Sequence, residues 1–181
     1  MRPELREPWR SFLHEVDARL HGPVELHCLG GFVVTVLHGL PRPTADIDVL
    51  SVIPGESLGR LIELAGESSP LHRKHGVYLD IVTVVTSPDG YEGRLVEFLP
   101  GTWNRLRLFA LDPYDLALAK LERNLQRDRD DVLYLARAAQ LDLDLLRKRY
   151  SAELRPYLGR PEREDLTLNL WIEMIQESRG L

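Results

Sequence analysis

Apolar residues recur along this chain with two different periods. In residues 8–20, Trp9, Phe12, Leu13, Val16 and Leu20 fall on one side of a helix, which Gly22-Pro23 ends. Residues 24–29 read as a short strand. Gly30-Gly31 then opens an apolar helix through Phe32, Val33, Thr35, Val36 and Leu37. After the Gly39 to Pro43 turn the pattern predicts a second strand over about 45–53, a helix over 57–65, and a β-branched third strand over 77–85. A further strand is expected near 105–110.

Asp112-Pro113-Tyr114-Asp115 is a helix start: Asp112 suits the cap, Pro113 the first position and Asp115 the positive first turn. Beyond it every pattern is helical, over about 113–125, 129–140, 142–157 and 161–177. The order implies an α+β fold, a catalytic-type core over 1–111 with a C-terminal helical region, 112–181, packed on it.

The chain has 181 residues, a formal charge of −5 and one cysteine. That cysteine, Cys28, leaves no disulfide framework and no multi-cysteine zinc site. The N-terminal residues are charged, and the longest apolar run, 29–37, is about half the ~20 residues a membrane span needs. A soluble, cytoplasmic protein without membrane association is expected. Mild acidity argues against a wide basic footprint, while local basic patches stay possible. With 20 Arg against 3 Lys, each lysine invites a reason for not being arginine.

The densest chemistry lies in Asp46-Ile47-Asp48. Residues two apart on a strand face the same way, with Cα atoms about 6.5 Å apart, so both carboxylates can share metal ions while Ile47 faces a core. An isolated Asp-x-Asp is more often a solvated strand face. Asp80, however, interrupts an otherwise buried strand, where a lone carboxylate costs several kcal/mol unless paired or liganded. If the two strands are neighbours, Asp80 becomes a third ligand, and three carboxylates suit Mg²⁺. Gly30-Gly31 at a helix start would let a phosphate approach the backbone, although such a pair usually means only a tight turn.

The run LGGFVVTVLHGLPRPTADIDVL resembles the signature of the DNA polymerase β-like nucleotidyltransferase superfamily. Its Arg42-x-Thr44-x-Asp46-Ile47-Asp48 form is most similar to the AbiEii-like nucleotidyltransferases of toxin–antitoxin systems. LDPYDLALAKLERNLQRDRDDVLYLA is similar to that family's downstream helix. The resemblance implies a mixed sheet flanked by helices and two Mg²⁺ ions held by Asp46, Asp48 and Asp80. It implies an NTP bound by Gly30, Gly31, Arg42 and Thr44, with Lys120 on the triphosphate and Asp131 at the downstream motif. Many relatives have Ser where this chain has Gly31.

Lys120, Asn124, Arg127 and Asp131 would share one helix face if the helix continues. Asp128 reads as an N-cap for a second helix, with Asp131 in its first turn. His72 and His75 are expected in an exposed loop. Trp103, Arg105 and Arg107 alternate as on one strand face, and Arg147, Lys148, Arg149 and Arg155 form a basic cluster. The resulting expectation is Mg²⁺-dependent transfer of a nucleoside monophosphate to RNA, such as a tRNA 3′ end, by a toxin balanced by an antitoxin protein. A protein AMP-transferase acting as an antitoxin and a non-catalytic nucleotide-binding module are the alternatives.

Overall fold

The computed structural model describes residues 5–180, and the chain divides into two compact units. The first takes the described residues through Thr83 together with Leu95–Ala110; the second takes Val84–Arg94 and Leu111 onward.

The first unit is built on five strands: β1 (Val24–Leu29), β2 (Asp46–Ile53), β3 (Tyr78–Ile81), β4 (Val96–Phe98) and β5 (Leu106–Ala110). Their order is β3-β2-β1-β5-β4. β1 runs antiparallel to β2 and parallel to β5, β2 is parallel to β3, and β4 is antiparallel to β5. The sheet is therefore mixed, and with its flanking helices it makes an α+β arrangement. Among the described residues this unit carries the α-helices α1 (Trp9–Arg19), α2 (Gly30–His38), α3 (Leu58–Ala65) and α4 (Pro70–His75).

Alternate strand residues Leu26, Cys28, Ile47, Val49, Leu79, Leu108 and Ala110 are buried, and with Phe12, Leu13, Val16, Phe32 and Leu61 they make the core. Each large side chain so buried contributes roughly 1.5–3 kcal/mol. Trp9 meets both Phe12 and Phe32 edge-on, at 5.8 and 4.8 Å between ring centres. Asp17, in the last turn of α1, fastens that helix to the start of β5: its carboxylate accepts backbone N–H bonds from Asn104, Arg105 and Leu106. Burial opposes its charge, but those three donors outweigh the burial and hold its pKa below the usual value.

The second unit carries α5 (Pro113–Leu118), α6 (Gln126–Ala138), α7 (Leu143–Arg149) and α8 (Glu162–Arg179). Asp112 caps α5 by accepting the Asp115 N–H at 2.9 Å, and Asp142 caps α7 in the same way. A wide turn over Tyr150–Leu154 and a tighter one over Arg155–Tyr157 prolong α7. Leu116, Leu121, Val132, Leu135, Leu146, Trp171 and Ile175 are buried. The 84–94 segment is tied in by Arg94, which donates to the fully buried Asp115 at 2.9 and 3.1 Å and to Glu153 at 2.7 Å. No described helix is long and apolar enough to cross a membrane.

Several boundaries differ from the sequence expectation. The strand expected over 77–85 is paired only through Ile81: β3 is an edge strand, and past Thr83 the chain enters the second unit, leaving Val84 90% exposed. The helix expected over 113–125 stops at Leu118, because Lys120 and Leu121 close shorter turns and Asn124 takes a left-handed conformation, φ 45°. Asparagine tolerates that conformation, and here its side-chain oxygen accepts from Trp171 Nε1 and Arg129 Nε. Lys120, Asn124, Arg127 and Asp131 therefore share no continuous helix face. His72 and His75 lie on α4, capped by Ser69 with Pro70 in the first turn, not in a loop. Of Trp103, Arg105 and Arg107, only Arg107 lies within β5.

Candidate active site

Asp46 and Asp48 stand on the first turn's worth of β2, alternating with the buried Ile47 and Val49, so both carboxylates leave the core side of the sheet. The parallel pairing of β2 with β3 sets Asp48 directly opposite Asp80 and Asp46 opposite Tyr78. Asp46, Asp48 and Asp80 each offer one oxygen, and these three atoms lie within 4.8 Å of one another. Thr44 orients the first of them, donating its hydroxyl to Asp46 Oδ1 at 2.8 Å.

Burial, then the nearby charges of Asp46 and Glu67, push the Asp80 carboxyl above its ordinary pKa. Tyr78, beside the same group, is raised by burial and by Asp46, Glu67, Asp80 and Asp48. Three carboxylates gathered this closely repel one another unless a cation lies between them. An all-oxygen donor set suits a hard divalent ion such as Mg²⁺ or Mn²⁺, so these residues fit the metal that the sequence resemblance implies.

Gly30 opens α2 with φ +77°. It sits where β1 pairs with β2, Leu29 opposite Asp48, and a Cβ built on it would fall 1.7 Å from Asp48 Oδ2. The glycine makes room for the aspartate. A Cβ on Gly31 would lie 3.3 Å from the Arg42 guanidinium and 3.7 Å from the Thr44 hydroxyl. The space a serine side chain would enter at position 31 thus borders Arg42 and Thr44, which bring a positive charge and a hydroxyl to the glycine turn. Beneath it the Cys28 thiol is wholly buried, and burial followed by the Asp48 charge raises its pKa far out of the reactive range.

Gly30, Gly31, Arg42, Thr44, Asp46, Asp48 and Asp80 are therefore brought together in the first unit. Lys120 and Asp131 belong to the second, where Lys120 Nζ donates to Asp131 at 2.9 Å and approaches Asp128 at 3.4 Å, all three side chains being buried. Asp128 is not the N-cap; it is the third residue of α6 and accepts the Leu125 N–H at 3.0 Å and the Arg123 Nε–H at 2.9 Å. Sequence reasoning missed Glu67 and Tyr78. Tyr78 had a signal, standing two residues before Asp80 on the same strand face; Glu67, in the turn after α3, had none.

No curated protein matches this chain, and no solved structure matches it. A family model described as a nucleotidyltransferase of unknown function matches residues 13–179, a span that includes every residue of the acidic group and the glycine turn. The chain belongs to that nucleotidyltransferase family, DUF6036.

Proposed function

We propose that the chain transfers a nucleoside monophosphate from an NTP to a hydroxyl of RNA, with a divalent cation held by Asp46, Asp48 and Asp80. The observation that carries this reading is the convergence of those three carboxylates, from two strands, within 4.8 Å. When bound, the cation supplies charge to the reacting phosphate and acidifies the attacking hydroxyl.

The chain's own residues do the rest. Gly31 leaves the start of α2 open to close approach by the NTP phosphates, whose charge its N-terminal amides favour, while Gly30 makes room for Asp48. The Arg42 guanidinium beside Gly31 adds positive charge at the same point. Asp80, opposite Asp48 on the neighbouring strand, is suited to orient the acceptor hydroxyl and receive its proton. That oxygen forms a bond to the α-phosphorus as the bond to the β-phosphate breaks and pyrophosphate leaves.

The likeness of Arg42-x-Thr44-x-Asp46-Ile47-Asp48 to the AbiEii-like enzymes supports an RNA acceptor, such as a tRNA 3′ end, and a role as the toxin of a toxin–antitoxin pair. Incubation with each α-labelled NTP, Mg²⁺, total RNA and cell protein tests this. Label in RNA is the expected result. Label in polypeptide would replace RNA by a protein hydroxyl, and label in neither would remove the transfer reading.

A further inference from the structure

At the opposite end of β1 from Gly30, the first unit holds a cavity of about 560 Å³. Arg19, His21, Arg60 and Arg105 line it, with Leu20 and Leu64 as its apolar part, and no carboxylate faces it. An adjoining cavity of about 220 Å³ shares Arg19, His21 and Arg60 and adds one acid, Glu56. Arg19 is engaged by Glu15 at 3.2 Å. Among the described residues, no ion pair holds Arg60 or Arg105. Asp17, whose carboxylate accepts three backbone N–H bonds, keeps its charge and attracts Arg105, so Arg60 is the cation of the lining with the least counter-charge.

Three guanidiniums around one cavity, of which Glu15 pairs only Arg19, are a local concentration of positive charge in a chain of net charge −5. Guanidiniums match phosphate with paired N–H donors. Leu64, half-buried in the same lining, offers an apolar surface to sugar and base, while Leu20 is buried. Six residues of extended chain separate Val24, at this end, from Gly30, a span of about 20 Å. That span is a lower bound, because the aspartates leave the other side of the sheet from α1 and α3; a lone nucleotide is too short to touch both, and an acceptor that does so is a strand of several nucleotides.

We propose that this cavity is a docking site for the backbone phosphates of single-stranded RNA, engaged through Arg60, Arg105, Arg19 and His21. The proposal extends the RNA-acceptor reading by naming where the acceptor is held away from its reacting end.

Fluorescence anisotropy of a short labelled, unstructured oligoribonucleotide tests it on the full chain. Arg60→Ala and Arg105→Ala are each expected to weaken binding roughly three- to tenfold at about 0.1 M salt, and to lower the slope of log K against log salt by about 0.7 per lost phosphate contact. Arg10→Ala, on an exposed helix position outside the cavity, is the control and should bind as wild type. In the transfer assay the same variants should raise the KM for RNA and leave kcat unchanged, since they touch no reacting atom. Wild-type binding by both variants, or no RNA binding by the wild-type chain, overturns the proposal. Displacement of the RNA by millimolar inorganic phosphate does so as well, by making this a small-anion site. RNA labelled normally but bound without Arg60 and Arg105 sinks the cavity alone; RNA bound through them but never labelled sinks the acceptor reading alone.

Discussion

Asp48 occupies the place where a side chain at position 30 would begin: its Oδ2 lies 1.7 Å from a Cβ built on Gly30. Gly30→Ala therefore cannot leave the aspartate where it is. The left-handed backbone adds about 1 kcal/mol of strain for any other residue. Displacing a metal-binding carboxylate by an ångström is expected to cost on the order of 100-fold in transfer. Activity at saturating NTP, with Mn²⁺ titrated by calorimetry on the same sample, checks this; normal activity would mean that Asp48 is not a ligand.

Gly31→Ser should behave differently. The new atom meets the far end of the Arg42 side chain at 3.3 Å, which can swing aside. Retention of most activity, with a small change in the KM for NTP, is the expected outcome. A loss as large as that of Gly30→Ala would show that Arg42 cannot move without cost.

Asp80 gives a prediction with a definite sign. Its carboxyl is raised above the ordinary value by burial and then by Asp46 and Glu67, so the folded chain binds that proton more tightly than the unfolded one. Stability contributed by this group consequently rises as pH falls through the folded pKa toward the unfolded value near 3.9. Asp80→Asn should remove this dependence and melt no lower than wild type at pH 7 without metal. Added Mg²⁺ should raise the melting temperature of wild type more than that of the variant. Equal Mg²⁺ shifts would contradict a liganding Asp80.

Asp17 has the opposite sign. Its three backbone donors hold the folded pKa low against burial, so its stabilisation is present above about pH 3.9 and lost as pH falls through the folded value. Asp17→Ala leaves buried N–H groups unpaired and should cost about 2 kcal/mol at pH 7. Urea unfolding at pH 7 and pH 3 measures it, and the deficit should shrink at the lower pH.

Lys120→Met tests the buried pairing with Asp131 and Asp128. Removing one side of such a network leaves an uncompensated charge, at about 3–5 kcal/mol, though Arg123 still serves Asp128. Chemical unfolding followed by tryptophan fluorescence reads the loss, and Lys120→Arg should recover part of it.

The acidic group was legible because its determinants are local. Two aspartates at period two, a glycine pair before a helix and an aspartate in an apolar strand all survive without knowledge of the fold. The strand order that sets Asp48 against Asp80 had to be supposed, since pairing is a long-range property. The Lys120 to Asp131 pair was anticipated on the wrong geometry: they meet across a turn made by Asn124, not along a helix, and only the tertiary partners of that asparagine explain its conformation. Residues 82–85 misled because β-branched composition favours a strand only where the chain stays beside a partner, and here the chain leaves β2 after Val82 although β2 runs on to Ile53. The arginine cavity drew on residues from α1, α3 and the chain before β5, and no spacing rule joins them.

The excursion of residues 84–94 into the second unit has a practical meaning for dissecting this molecule. A cut at residue 111 yields a C-terminal piece that retains Asp115, fully enclosed, with Arg149 at 3.5 Å, while Arg94, which gives it two shorter hydrogen bonds, goes with the other piece. Asp89 goes with it too, taking its backbone bond to Glu153 and its side-chain bond to Tyr157. Neither half is a clean inheritance. Gene fragments meant to express the helical part must carry the stretch from Val84 spliced ahead of Leu111, and two-piece complementation should succeed only when that stretch accompanies the helices.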